Sequence, residues 1–319
     1  MKRRSIVKLL GGMTLPSTGV FAQPAAARPI RLIVPAGAGN GTDIITRMFA
    51  PKLGAILGQP VIVENRAGAN GLIGVQEVMR AAPDGNTLLV GSVSSLAINM
   101  AMMKNPPYDP RRDLTPIAGA YVANHVWVVR PSFPGRSFDE FIAHAKKNPG
   151  KVSVGSASTL VKIQLAALEQ MANIELLTVP YKAVGATTTD VLGGTLDMTL
   201  LETGSSLPYV KAGKLRPLAV SSPKRNPTLP DCPAVAESIP GFDFSSWSAM
   251  VGPAGMAPEM VAKLNAAMAQ VQKHPEFISK LDQGGMVPMV FAPEALKSYI
   301  DAEVKKWSQV VRDAKIEQE

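Results

Sequence analysis

The chain has 319 residues, of which 46% are apolar, 18% charged and 5% aromatic, with one cysteine and a formal charge of +8. That length buries a core large enough for one big α/β unit or for two domains. The apolar content excludes a disordered chain, and no run of about 20 apolar residues follows the N-terminus, as a multispan membrane protein would require. Cys232 alone can neither close an internal disulfide nor build a thiolate metal cage.

Lys2, Arg3 and Arg4 precede a mostly apolar stretch from Ile6 to Leu15, and Val20-Phe21-Ala22 offers a cut site. This is the pattern of an export signal whose apolar core is too short to anchor, so residues 1–22 are expected to leave by cleavage near Ala22. Arg3-Arg4 also fits a twin-arginine signal, which leaves the export route open. Removal of residues 1–22 takes away Lys2, Arg3, Arg4 and Lys8 and no acid, leaving 29 basic against 25 acidic residues, or +4. A chain so mildly charged, with few aromatics and no basic stripe, is not read as a nucleic-acid binder.

From Arg28 onward β-branched runs alternate with amphipathic stretches, the pattern of a mostly parallel sheet with helices on both faces. Ile30–Val34 reads as the first strand, and Gly37-Ala38-Gly39-Asn40-Gly41 leads into a helix with Thr42 or Asp43 as its N-cap. Ile44, Ile45, Met48, Phe49, Ile56 and Leu57 are expected on its buried face, with a kink or restart at Pro51. Further strands are expected at 61–63, 88–90, 152–154, 176–179, 198–200 and 218–220. Ser137-Phe138-Asp139-Glu140 reads as a capping box. Pro258 and Pro293 open two closing helices with apolar faces Val261-Leu264-Met268-Val271 and Leu296-Ile300-Val304-Trp307. His125–Val129 and Trp247–Val251 are apolar on both faces. They are either central strands of one large sheet or paired crossovers between two lobes.

Reactive chemistry is sparse. No Gly-x-Ser-x-Gly elbow occurs, Ser221 and Lys224 sit in a turn-like run, and His125, His144 and His274 are scattered without metal-ligand spacing. Cys232 reads as a small buried hydrophobe. The glycine loop is more informative, because a strand running through Gly39, Asn40, Gly41, Thr42 and Asp43 into a helix start offers free N–H groups that suit an anion. Glu64 falls near the position of the ribose-binding acid of a dinucleotide fold, but Thr42 replaces the third glycine and Pro35 interrupts the strand. Two other loops share this logic: Gly91-Ser92-Val93-Ser94-Ser95-Leu96, offering Ser92, Ser94 and Ser95, and Val154–Thr159, offering Ser156, Ala157, Ser158 and Thr159. Three hydroxyl-rich helix starts facing one cleft would hold an anion, and they include neither nucleophile nor base.

These residues also carry a family resemblance. Pro29–Pro35 with Thr42-Asp43-Ile44, Gly58–Arg66, Ala82–Gly85, Leu96–Asn99, Pro107–Pro110, Val179–Lys182, Asp190–Gly194, Lys211–Arg216 and Leu229–Asp231 occur in an order that resembles the Bug family, the periplasmic receptors of tripartite tricarboxylate transporters. The resemblance implies an α/β, type II periplasmic-binding-protein fold, with 28–128 plus 247–319 as lobe 1 and 129–246 as lobe 2. It implies a monomeric periplasmic receptor, without cofactor and not an enzyme, that closes on a small carboxylate and hands it to a membrane permease. In that reading the first-strand loop and the facing second-lobe loop hold the carboxylate, partly through ordered water. The chain departs from the family pattern at Asn40 for a usual glycine, at a shortened second-lobe loop with Lys162 near a usual histidine, and at Leu201-Glu202 where an aspartate is common. Lys162 either attracts a second carboxylate or sits on the solvated helix face, the latter being the preferred reading, and Glu202 is read as a cleft residue. Alternatives are a ligand-sensing receptor for a membrane signalling protein, and an exported nucleotide-dependent or hydrolytic enzyme.

Overall fold

The computed structural model describes residues 28–318; the expected export signal lies outside them. Eleven strands occur among them: β1 Ile30–Val34, β2 Val61–Asn65, β3 Thr87–Ser92, β4 Leu114–Ala123, β5 His125–Val129, β6 Ser153–Ser156, β7 Leu177–Pro180, β8 Met198–Glu202, β9 Arg216–Val220, β10 Ser246–Pro253 and β11 Val287–Pro288. They form a six-stranded sheet ordered β11-β4-β10-β3-β1-β2 and a five-stranded sheet ordered β7-β6-β8-β5-β9.

Each sheet is mixed where a mostly parallel one was expected. β1 pairs in parallel with β2 and β3, and β6 with β7 and β8, as helical crossovers require. The antiparallel members are β10, β4, β11, β5 and β9. These include the strands that carry the chain from one sheet to the other. β4 runs into β5 through Asn124 alone, and the return passes from β9 through Phe244 into β10. β5 therefore belongs wholly to the second sheet, whereas the expected divide left His125–Val128 with the first lobe. β5 and β10 are not strands of one sheet. Each is central in its own, covered on both faces, which accounts for the absence of polar alternation in either.

The first long helix, Gly41–Leu57, starts two or three residues earlier than an N-cap at Thr42 or Asp43 implies. Its N-cap is Asn40, whose Oδ1 accepts the Thr42 N–H at 2.8 Å. Ile45, Phe49 and Leu53, four apart, form its buried stripe, while Ile44 is 51% exposed and Ile56 39%. The helix runs unbroken through Pro51 and ends at Gly58 with φ +71, the left-handed cap that glycine supplies. Ser137 caps Phe138–Lys147 through its Oγ, but Glu140 reaches the Arg136 N–H, one residue before the cap. The closing helices Pro258–Gln272 and Pro293–Asp313 bury the expected faces, and a third, Pro275–Gln283, lies between them.

One core cluster is continuous through both lobes, joining Trp127, Phe138 and Phe141 of the second lobe to Trp247, Leu296 and Trp307 of the first. Phe244, on the return segment, packs against Phe242 at 4.5 Å and Trp307 at 5.4 Å between ring centroids. The lobes thus share packing at the crossovers and diverge in front of them. The described residues contain no helix long and apolar enough to cross a membrane.

Candidate functional site

A cleft of about 520 Å³ opens between the lobes, a volume typical of small-molecule sites. Ten of the thirteen expected site residues line it: Asn40, Gly41, Thr42, Ser92, Ser94, Ser95, Ala157, Ser158, Thr159 and Glu202. Gly39, Asp43 and Ser156 are not among the lining residues.

The first loop is built around Asp43. Its buried carboxylate accepts from the Gly39 N–H at 2.8 Å, Arg47 Nε at 2.8 Å and Asn65 Nδ2 at 3.0 Å. Burial by itself raises such a carboxyl, but these donors and the Arg47 charge outweigh it and hold Asp43 below the usual carboxylate range. Asp43 therefore shapes the loop from behind. Gly39, at φ +81, makes the turn that brings its N–H to that carboxylate. With Thr42 N–H on Asn40 and Ile44 N–H on the Asn40 carbonyl, the Gly41 and Asp43 N–H groups have no partner among the described residues and stand at the positive end of the helix.

The second-lobe loop repeats the device. Ser158 caps helix Thr159–Ala172, with Oγ accepting the Val161 N–H at 3.2 Å and its carbonyl taking the Lys162 N–H. The Thr159 and Leu160 N–H groups and the Thr159 hydroxyl have no partner among the described residues. Lys162 is exposed and outside the lining, on the solvated face expected for it.

The third loop follows β3. Ser95 is spent on structure, its Oγ accepting the Ser92 N–H at 3.1 Å and its carbonyl taking the Tyr108 hydroxyl. Ser92 and Ser94 present their hydroxyls. The chain then makes a π-helical turn, Ser94–Ile98, a distortion that recurs at functional sites. Asn99 within the next turn donates to the Asn70 carbonyl at 3.1 Å, tying this loop to Gly68-Ala69-Asn70-Gly71. All four of those residues have positive φ, including Ala69 at +46 and Asn70 at +52, strain of the kind found beside ligands. Asn70 and both glycines line the cleft. The Gly-x-Asn-Gly spelling is a turn signal that could have revealed this wall.

Tyr121 and His125, from β4 and β5, close the back of the cleft and were invisible as site residues in an apolar strand pattern. Tyr121 Oη lies 3.3 Å from Thr42 Oγ1, and burial pushes its hydroxyl well above the ordinary value. Burial pulls His125 down to about 4, so its imidazole is neutral. Gln164 Nε2 donates to the Phe244 carbonyl at 2.5 Å and to His125 Nδ1 at 3.2 Å. Turning the amide over would set two carbonyl oxygens together, so Nδ1 is the acceptor and Nε2 carries the ring proton.

The dinucleotide alternative fails on Glu64. Its carboxylate takes hydrogen bonds from Arg31 at 2.7 Å and Arg66 at 2.6 Å, which hold it below the usual range, and it is outside the lining. Among the described residues no cluster of His, Cys, Asp and Glu could hold a metal.

Residues 45–316 match the model of the tripartite tricarboxylate transporter family receptor. The chain belongs to that family. A tripartite tricarboxylate transporter receptor is a solute-binding protein with membrane partners, and the family is not one of enzymes. The chain is 33% identical to protein BugT of Bordetella pertussis over 95% of each chain. Among solved structures, a periplasmic transporter is similar at 34% identity and TM-score 0.79, covering 92% of this chain and 99% of that one. Rpa4515 of R. palustris with adipate is 28% identical at TM-score 0.80, covering 93% and 100%. MatC of Rhodopseudomonas palustris with bound malate is 27% identical at TM-score 0.75, covering 89% and 99%. The fold is thus that of two-lobed type II periplasmic binding proteins.

Proposed function

We propose that this protein is an exported periplasmic receptor that captures a small organic acid between its lobes and delivers it to a membrane permease of the tripartite type. The observation that carries the reading is the cleft, in which open N–H groups and hydroxyls of three loop-to-helix starts converge from both lobes. Neutral dipoles aimed from fixed helix ends bind a carboxylate without a counter-cation. A ligand held by lobe 1 through Gly41 and Thr42, and by lobe 2 through Ser158 and Thr159, stabilises the closed form by its added contacts to the second lobe. The adipate and malate seen with the relatives fit a cleft of this size. Export with cleavage near Ala22 and delivery to a permease complete the proposal.

A melting-temperature screen of mono- and dicarboxylates, amino acids, aromatic acids and nucleotides tests it. Stabilisation by an acid is expected, on the order of 3 kcal/mol at a hundredfold excess over Kd. A shift with nucleotides and none with any acid would refute the reading. With the best acid, Asp43→Ala is expected to weaken binding about tenfold, or ~1.4 kcal/mol, by loosening the Gly39–Gly41 turn rather than by removing a contact. Asp43→Asn, which keeps one acceptor, should recover part of that loss. Calorimetric titration reads both, and wild-type affinity in Asp43→Ala would show that the turn holds without its clamp.

A further inference from the structure

Helix-start dipoles account for one ligand carboxylate, but the charge that the cleft itself carries is negative. Among the described residues no Lys or Arg lines it; its titratable side chains are Glu202, His125 and Tyr121. Arg47 and Arg66, which flank two of its loops, are committed, Arg47 to Asp43 and Arg66 to Glu64 and Glu77, while Lys104 and Lys162 are exposed and outside the lining. His125 is neutral. Among the described residues Glu202 is therefore the one formal charge that the lining can present.

Glu202 closes β8 and stands directly across from His125 of β5 in an antiparallel pair, which sets both side chains on one face as neighbours. Its carboxylate reaches from the second lobe toward the first, with its oxygens 3.5 and 3.6 Å from where a Cβ on Gly41 would stand. It makes no hydrogen bond among the described residues, and burial raises its carboxyl above the ordinary value. The back of the cleft thus offers an unpaired acceptor, Glu202, beside an N–H donor, His125 Nε2, which is also without a partner among the described residues. A second ligand carboxylate placed there would raise the Glu202 carboxyl further, so it enters only at the cost of taking up a proton or of setting two like charges together with no cation to offset them. A nitrogen donor would satisfy Glu202, and a primary amide would satisfy both groups, its carbonyl accepting from His125.

We propose that Glu202, with His125 beside it, selects acids whose second polar group is a nitrogen donor, an ammonium or a primary amide, over the corresponding dicarboxylates. This rests on the acid-receptor reading above and narrows it. The selection works chiefly by rejection, since a buried charge without a partner penalises the wrong ligand more than a good contact rewards the right one.

Calorimetric titration with matched four-, five- and six-carbon sets, each a dicarboxylate, its monoamide and the ω-amino acid of equal length, tests the proposal on the wild type and on Glu202→Gln. In at least one set a nitrogen-bearing acid should bind ten times or more tighter than the dicarboxylate. A leading ω-amino acid identifies charge pairing with Glu202, and a leading monoamide identifies the joint use of Glu202 and His125. In Glu202→Gln, an isosteric change that relieves a buried charge and keeps the fold, the preference should fall at least tenfold. A merely structural Glu202 would leave that ratio unmoved. Tighter dicarboxylate binding in every wild-type set, or an unchanged ratio in Glu202→Gln, overturns the proposal while leaving the acid receptor intact. Binding of no acid from any set, by protein with a normal melting transition, overturns both.

Discussion

Replacing Glu303 by alanine is expected to destabilise the protein by about 3–5 kcal/mol, the cost of breaking a buried charged network. Glu303 is 4% exposed on the C-terminal helix Pro293–Asp313. Its Oε2 accepts from Trp247 Nε1 at 2.7 Å and from Trp307 Nε1 at 3.0 Å, and its other oxygen pairs with Lys306. Both indoles are fully buried, so alanine strands two N–H donors, at about 1–3 kcal/mol each. Trp247 sits at the start of β10, on the return crossover, and Trp307 packs at a tilt against Phe244 of the same segment. The carboxylate therefore bolts the last helix to the chain where it re-enters the first lobe. Thermal unfolding followed by tryptophan fluorescence should show the midpoint falling by on the order of 10 °C, at about 2–4 °C per kcal/mol for a domain somewhat smaller than this. Glu303→Gln retains one acceptor for the two indoles and should lose less. A fall smaller than about 1 kcal/mol in the alanine variant would mean that the indoles find other partners.

Gly285→Ala is expected to cost about 2–4 kcal/mol, combining a strained backbone with overpacking. Gly285 has φ +62, and a Cβ there would stand 2.3 and 2.5 Å from Cγ2 and Cβ of Thr203. Thr203 cannot give way easily, because its N–H and its hydroxyl both donate to the Asn124 carbonyl at 3.0 Å. Gly285 is itself held, its carbonyl accepting from Asn226 Nδ2 at 2.8 Å. Beside it, a Cβ on Gly204 would come within 2.8 Å of Gly284 backbone. Here a turn of the first lobe lies against the start of helix Thr203–Lys211 in the second, with no room for a methyl group. The damage should not stop at stability, since Thr203 directly follows Glu202 and a shift of one moves the other in the cleft. Denaturant unfolding together with ligand titration should show both losses. A wild-type midpoint would mean that the two lobes are not in contact at this turn.

Local chemistry made much of the site legible. Glycines and hydroxyl residues after a strand and before an amphipathic run mark a helix start, and all three loops found in this way reach the cleft. Asp43 shows where that logic stops. An acid at a helix start reads as a ligand group or as a cap, and only the positions of Gly39, Arg47 and Asn65 show that it is consumed in holding the loop. Ile44 and Ile56 were misplaced because a six-residue apolar set on one helix admits more than one face. The sheet beneath it picked the stripe Ile45, Phe49 and Leu53. Tyr121 and His125 were missed because both lie in apolar strands, where a polar residue facing a cleft looks the same as one satisfied in the core.

The sequence by itself determined the alternation of strands and helices, the family, and the sparseness of reactive groups that points to binding rather than catalysis. These depend on local spacing and residue type, which need no distant partner. Only the tertiary structure decided that β5 and β10 are central strands of different sheets, since strands covered on both faces carry no alternation to reveal their neighbours. It alone paired Glu202 with His125 across β8 and β5, residues far apart in the chain, and left both facing a cleft with no Lys or Arg among the described residues of its lining. The physical reason is common to both cases: which side chains meet across a sheet depends on strand order and register, and neither is written in the periodicity of a single strand.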